Sequence, residues 1–274
     1  MPSGVVSGVK RFLREWIPVI IAVLLIRSFL VEAFMVPTGS MEDTILVGDF
    51  MLVNKFIYGL KIPFTEKTLI PVSHPKRGDI VIFRFPLDPD IPVDSLHPNR
   101  YQRIFPPWLP LLPMFWDKRA NFFIWYLPRN FVKRCVAVAG DTVEVRNKEL
   151  YINGKKEVAP YVTHKFNYPL PRLPGELNTD FQRLWENRRF YRSTLSPYVR
   201  DNFGPVVVPE GHIFVMGDNR DNSEDSRFWG PLARHHLRGK PLVLYFSSCA
   251  APSIARILVS PWSIRFNRIG RLVR

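Results

Sequence analysis

The sequence is poor in cysteine. Cys135 and Cys249 are the only two in 274 residues, and they form neither a C-x-x-C pair nor a zinc spacing. They can pair only if the fold brings them together; two unpaired small hydrophobes is the simpler reading. Several familiar catalytic signatures are also missing. There is no G-x-S-x-G elbow and no H-E-x-x-H helix. "DNRDNSEDSR" is rich in carboxylates but fails as a calcium loop. With Asp221 as its first position, the sixth is Ser226 rather than glycine and the twelfth is Leu232 rather than glutamate. Ser73-His74-Pro75-Lys76 matches S-x-x-K by letter, but that motif works on a helix, which Pro75 and Gly78 oppose, and S-D-N and K-T-G are absent. His74, His97, His164, His212, His235 and His236 stand in no triad context. No internal repeat is visible, and neither a metal site nor a cofactor site is expected.

Acidic residues are also scarce. Against 38 Lys and Arg there are 24 Asp and Glu, a formal net charge of +14. Such a balance suits a polyanion, either nucleic acid or an anionic membrane surface. Nucleic acid is disfavoured, because the basic residues are dispersed and no recognition motif occurs.

Long apolar runs are limited to one, in "KRFLREWIPVIIAVLLIRSFLVEAFMV". A membrane span needs roughly 20 residues at about 1.5 Å each. Trp16 to Ile26 is too short alone, and the continuation to Val36 supplies the length if Arg27 and Glu32 snorkel or pair. Arg27-Ser28-Phe29-Leu30 offers no small-x-small cleavage site, so a retained anchor over 15–36 is expected. The basic residues of segment 1–14 place it in the cytoplasm, with 37–274 across the membrane.

After the anchor the pattern is β. "GDFMLVNKFIYG", "RGDIVIFRFP", "CVAVAGDTVEVRNKELYINGKK", "GPVVVPEGHIFVMGDN" and "KPLVLYF" read as strands, with a hairpin signal at Asn153-Gly154. The expected fold is mainly β, an antiparallel sheet domain behind an N-terminal transmembrane helix. Two irregular insertions are expected, at about 87–129, rich in proline and aromatics, and at 160–205. The first is read as a packed flap or as an apolar surface resting on lipid. Helical periodicity is weak after residue 36. The tail "SIARILVSPWSIRFNRIGRLVR" reads equally as a lipid-facing segment or a solvated basic end.

One serine remains of interest. Ser40, in "MVPTGSMEDTILVGD", follows the apolar stretch. A serine hydroxyl needs a base before it becomes a nucleophile. Gly39 permits close approach of a substrate, and Thr38 offers a hydroxyl to a developing oxyanion. On this triplet alone a simple turn is the default.

The blocks "RSFLVEAFMVPTGSMEDTILVGDFMLVNKFIYG", "KRGDIVIFRFP", "VKRCVAVAGDTVEV" and "MGDNRDNSEDSRFWGPL" together resemble the bacterial type I signal peptidases, in that family's order. The ending "IRFNRIGRLVR" is similar as well. The resemblance implies an antiparallel β fold and a Ser–Lys dyad, with Ser40 as nucleophile and Lys133 as general base. It implies an oxyanion hole from Thr38 and the Ser40 N–H, and Ser223 as the residue orienting the lysine. It implies that Arg134 with Asp218, and Asp225 with Arg227, brace the site. Phe34, Val36, Met41, Ile45 and Val132 match positions that line pockets for small substrate residues. The implied substrate is a preprotein signal peptide, the implied partners a lipid bilayer and the nearby protein export machinery. The implied location is the bacterial cytoplasmic (inner) membrane, crossed once, with the catalytic domain on the outer, periplasmic face. A related Ser–Lys processing peptidase dedicated to one secretion system is the alternative. Ala139 and Cys135 depart from the family's usual residues, and many relatives carry two N-terminal spans where this sequence shows one.

Free lysine has a pKa of about 10.4, so roughly one molecule in 2,500 is neutral at pH 7. Burial can lower that value by up to about 3–5 units. Phe131, Val132, Cys135, Val136 and Val138 around Lys133 supply apolar neighbours, so a Lys133 largely desolvated and neutral at work is expected.

Overall fold

The strand Ile80–Arg84 is buried at all five positions, IVIFR, which means that both faces of the sheet are covered there. Burying each of its apolar side chains contributes about 1.5–3 kcal/mol. The computed structural model describes residues 11–12, 14–19, 31–61, 68–88, 99–104, 114–126, 129–173, 180–250 and 260–274.

The chain lays down β1 (Val31–Met35) and β2 (Asp49–Asn54), then the small pair β3 (Leu60–Lys61) and β4 (Thr68–Ile70), and returns as β5 (Ile80–Arg84). A separate three-stranded sheet follows: β6 (Tyr101–Arg103), β7 (Met114–Asp117) and β8 (Phe122–Trp125). The long β9 (Asn130–Val138) leads into β10 (Thr142–Arg146), β11 (Glu149–Ile152) and β12 (Lys155–Lys156). The last strands are β13 (Phe203–Val207), β14 (His212–Met216), β15 (Leu232–Ala233) and β16 (Leu237–Ser247). The principal sheet runs β1-β2-β16-β5-β9-β14-β15, and a four-stranded sheet runs β12-β11-β10-β13. Every pairing within both is antiparallel.

β16 makes the principal sheet curl. Its pairing with β2 shifts between Pro241 and Val243 and again between Leu244 and Phe246, and its other end pairs with β5. Such bulges bend a strand and raise its twist. On one side of β5, Ile80 and Ile82 join Val36, Met41, Ile45, Met51 and Val53 in a core. Val81 and Phe83 join Cys135, Val215 and Trp229 in a second. A third core lies over the four-stranded sheet.

Three sequence expectations change. Val31–Met35, read as the end of a membrane helix, is a strand, paired in register with β2 from Val31↔Asn54 to Met35↔Phe50. Glu32, read as snorkelling or paired, meets Lys55 at 3.2 Å. Residues 11–12 and 14–19 are helical, and the rest of the expected anchor, 20–30, lies outside the described residues. Among the described residues no helix is long and apolar enough to cross a membrane. The insertion at 87–129 is not wholly irregular, since it contains β6–β8. The segment 160–205 carries short helices at Phe181–Glu186 and Tyr198–Asp201, and its Phe181, Trp185, Phe190 and Val199 fill the third core. Helices of six and four residues are too short to display a 3.6-residue period.

The C-terminal segment folds back rather than trailing away. Arg268 is buried and donates to Asp49 at 2.6 Å, and Val273 packs into the same core as Val36 and Met41.

Candidate active site

Ser40 sits on a single tight turn just after β1. Glu42 N–H donates to the Gly39 carbonyl at 3.1 Å and Ile45 N–H to the Met41 carbonyl at 2.8 Å. A turn this short needs outside support, and three groups from elsewhere provide it. Asn219 N–H donates to the Ser40 carbonyl at 3.2 Å, Asn219 Nδ2 to Glu42 Oε2 at 3.2 Å, and Thr44 Oγ1 to Asp218 Oδ2 at 2.7 Å. Gly39 needs no special backbone here: a Cβ at this position would meet nothing closer than 3.7 Å. Gly217 is the glycine that matters. A Cβ there would come within 2.5 Å of the Ser40 carbonyl oxygen and 2.3 Å of Ser223 Oγ, so only glycine lets the Ser40 turn and the Ser223 loop approach this closely. Asn219, Thr44 and Gly217 were not singled out from sequence, although each lies inside a quoted block; their partners are distant in the chain.

Lys133 lies mid-way along β9, in register with Val81 of β5. Its side chain is 3% exposed, and Lys133 Nζ is hydrogen-bonded to Ser40 Oγ. The Phe131 ring centroid is 5.6 Å from Nζ. Burial pulls the Lys133 pKa from its ordinary 10.5 down to about 8, with Asp225 and Glu224 opposing the shift and Arg227 assisting it. Removing water from around an ammonium destabilises the charged form, and the surrounding carboxylates only partly restore it.

Two of the carboxylates near Lys133, Asp218 and Asp225, are already committed. Arg134 grips Asp218 through Nε at 2.8 Å and Nη2 at 2.7 Å, donates through Nη1 to the Gly78 carbonyl at 2.8 Å, and stacks 3.7 Å from the Tyr161 ring. Arg227 grips Asp225 through Nε and Nη2, both at 2.9 Å. Its Nη2 also donates to the Arg220 carbonyl at 2.8 Å. Burial would raise the Asp225 carboxyl, but Arg227 outweighs it and holds the group below its usual range. Asp225 also accepts from Gly217 N–H at 3.1 Å, which ties this pair to the Ser40 turn. Two carboxylates neutralised by arginine leave Lys133 without a dedicated counter-ion.

The remaining expected residues divide. Phe34, Val36, Met41, Ile45 and Val132 all fall in one apolar cluster. Val36, Met41 and Ile45 are buried inside it, while Phe34 and Val132 keep accessible surface. Thr38 is exposed beside the turn. Ser223 differs from expectation: it is buried beside Asp225, whose carboxyl it helps to hold low, and makes no bond to Lys133. Cys135 is buried and Cys249 exposed, and both are free thiols. Among the described residues no cluster of His, Cys, Asp and Glu suits a metal ion.

Fold and site together describe a β-sheet protein in which a serine on a turn meets a buried lysine on a central strand. The chain belongs to the signal peptidase, peptidase S26 family, whose profile matches residues 9–246. Signal peptidase I of Pseudomonas aeruginosa is 35% identical over 217 residues, covering 79% of this chain and 61% of that protein. The Haemophilus influenzae signal peptidase I is 35% identical over 259 residues, 88% of this chain and 71% of that protein. The Aquifex aeolicus signal peptidase I is 32% identical over 266 residues, with coverages of 87% and 84%. The chain thus spans about three fifths of the length of the Pseudomonas relative.

Proposed function

We propose that this chain is a membrane-bound serine endopeptidase that removes N-terminal signal peptides from exported preproteins. The observation that carries the reading is the hydrogen bond between the buried Lys133 Nζ and Ser40 Oγ. Family membership supports the substrate class.

In this reading the neutral Lys133 amine accepts the Ser40 proton as Oγ attacks the scissile carbonyl. The oxyanion is stabilised by Ser40 N–H and the Thr38 hydroxyl. The resulting Lys133 ammonium then protonates the leaving amine, and the neutral amine activates the water that releases the acyl enzyme. Ser223, buried beside Asp225 and not bonded to the resting amine, orients the amine as it moves between these roles. Arg134, Asp218, Asp225 and Arg227 hold the frame. Phe34 and Val132 contact the small residues before the cut, over a floor of Val36, Met41 and Ile45. No cofactor takes part.

In this reading the apolar segment ahead of β1 anchors the enzyme in the bacterial cytoplasmic (inner) membrane, crossing once, with the catalytic domain on the outer, periplasmic face beside the export machinery. Sharing a bilayer with the signal peptide raises the effective concentration of each for the other. Cleavage of a preprotein in detergent by wild type, Ser40→Ala and Lys133→Ala tests the reading. Loss of at least about 10³-fold in both variants is expected; cleavage unchanged in either removes it.

A further inference from the structure

Arg220 is a buried cation with no anion of its own. It is 4% exposed, its Nε has no hydrogen-bond partner, and among the described residues no carboxylate forms an ion pair with it. The nearby Asp218 and Asp225 are gripped by Arg134 and Arg227. An uncompensated buried charge is among the costlier features a fold can hold. Burial already draws the Arg220 pKa down to about 10, with the neighbouring Arg227 adding to the effect.

The same side chain lines a cavity of about 240 Å³, with Arg77, Val136, Glu157, Ala159 and Tyr161 also on its wall. Arg77 is paired with Asp141. Tyr161 carries Arg134 stacked on its ring, so the cavity adjoins the bracing pair without containing the dyad. At about 30 Å³ per water, the space exceeds what a few bridging waters require. A guanidinium presents a planar fork of donors that matches an oxyanion, and Tyr161, also on the wall, carries a hydroxyl able to donate. Glu157 is the one lining group that opposes a negative guest.

We propose that this cavity is a binding site for a phosphoryl oxyanion, seated on Arg220 and Tyr161, whether as free phosphate or as a phosphorylated headgroup. The ligand supplies the counter-charge that Arg220 lacks and fastens the segment carrying Glu157, Ala159 and Tyr161 against Arg134.

The test is calorimetric titration of the full chain in nonionic detergent, at constant ionic strength, with inorganic phosphate and separately with glycerol 1-phosphate. Saturable binding of inorganic phosphate identifies a free-ion site; binding of glycerol 1-phosphate alone identifies a headgroup site. Arg220→Gln and Ala159→Phe, the second filling the cavity without touching a charge, are each expected to weaken binding at least tenfold. Glu157→Gln is expected to tighten it several-fold. Arg220→Gln is also expected to raise the melting temperature of the ligand-free chain, because the unpaired charge is gone. The proposal is overturned if neither probe binds saturably, or if wild type, Ala159→Phe and Glu157→Gln bind alike. Equal affinities would mean that the ions only decorate a surface of charge +14.

Discussion

Lys133 on β9 and Ser40 on the turn after β1, 93 residues apart, share a hydrogen bond between buried side chains. The principal sheet makes the meeting possible. β9 is held by β5 on one side and β14 on the other, while the loop after β14 supplies Asn219 and Asp218 to fix the serine turn. The Ser40 turn is therefore positioned by groups remote from it in sequence.

Gly217 and Gly39 are expected to answer substitution differently. Gly217→Ala drives a methyl into the Ser40 carbonyl at 2.5 Å. Backbone cannot yield cheaply, so a loss of about 1–3 kcal/mol in stability and a large drop in cleavage are expected. Gly39→Ala meets only ordinary contacts of 3.7 Å and more, so its thermal stability is expected to stay close to wild type. Paired melting curves of the two variants check this contrast.

Breaking either buried bracing pair leaves a charge alone. Arg227→Met strands Asp225, and Asp218→Asn strands Arg134, with both partners at most 3% exposed in each pair. Each is expected to cost about 3–5 kcal/mol, read by denaturant unfolding. Asp225 has its pKa lowered by Arg227, so its contribution is present above the unfolded value of about 4 and fades as pH falls through the folded value. Wild type should lose stability on acidification more steeply than a double variant, Asp225→Asn with Arg227→Met.

The C-terminal segment is expected to be part of the fold. Asp49 is fully buried and receives Arg268 at 2.6 Å and Ser247 Oγ at 2.6 Å. Arg268→Leu is expected to destabilise by about 3 kcal/mol. A basic tail serving only as a membrane contact would leave the melting temperature unchanged.

Lys133→Met is expected to alter the alkaline limb of stability. The folded Lys133 has a lowered pKa, about 8 against 10.5. Between those values the unfolded chain binds a proton that the folded chain does not, so wild-type stability gains with rising pH. The methionine variant should lack that gain and be more stable near pH 7, where wild type holds a charge in an apolar niche. Urea titrations at pH 7 and pH 10 measure the difference.

Much of the frame was legible because its strands are locally coded. "RGDIVIFRFP" became β5, and "CVAV" became the second half of β9, which begins earlier, at Asn130. Asn153-Gly154 turns the chain between β11 and β12 with both residues at positive φ, 52° and 76°, as a two-residue hairpin demands. β1 was misread because its apolar residues continue a helical run, and only pairing with β2 distinguishes the two. The dyad partners were named by resemblance, not by local pattern: nothing around Lys133 states that Ser40 lies against it. Arg268 was invisible for the same reason, since its partner Asp49 lies 219 residues earlier.

The central claim is that Lys133 works as a neutral base, and the pH dependence of kcat/KM for a preprotein substrate tests it most directly. The account predicts a rate that climbs to a plateau with an apparent midpoint near 8, a limb that vanishes when Lys133 is replaced. A midpoint near 10, the value of an ordinary exposed lysine, or a limb that survives the replacement, would contradict it.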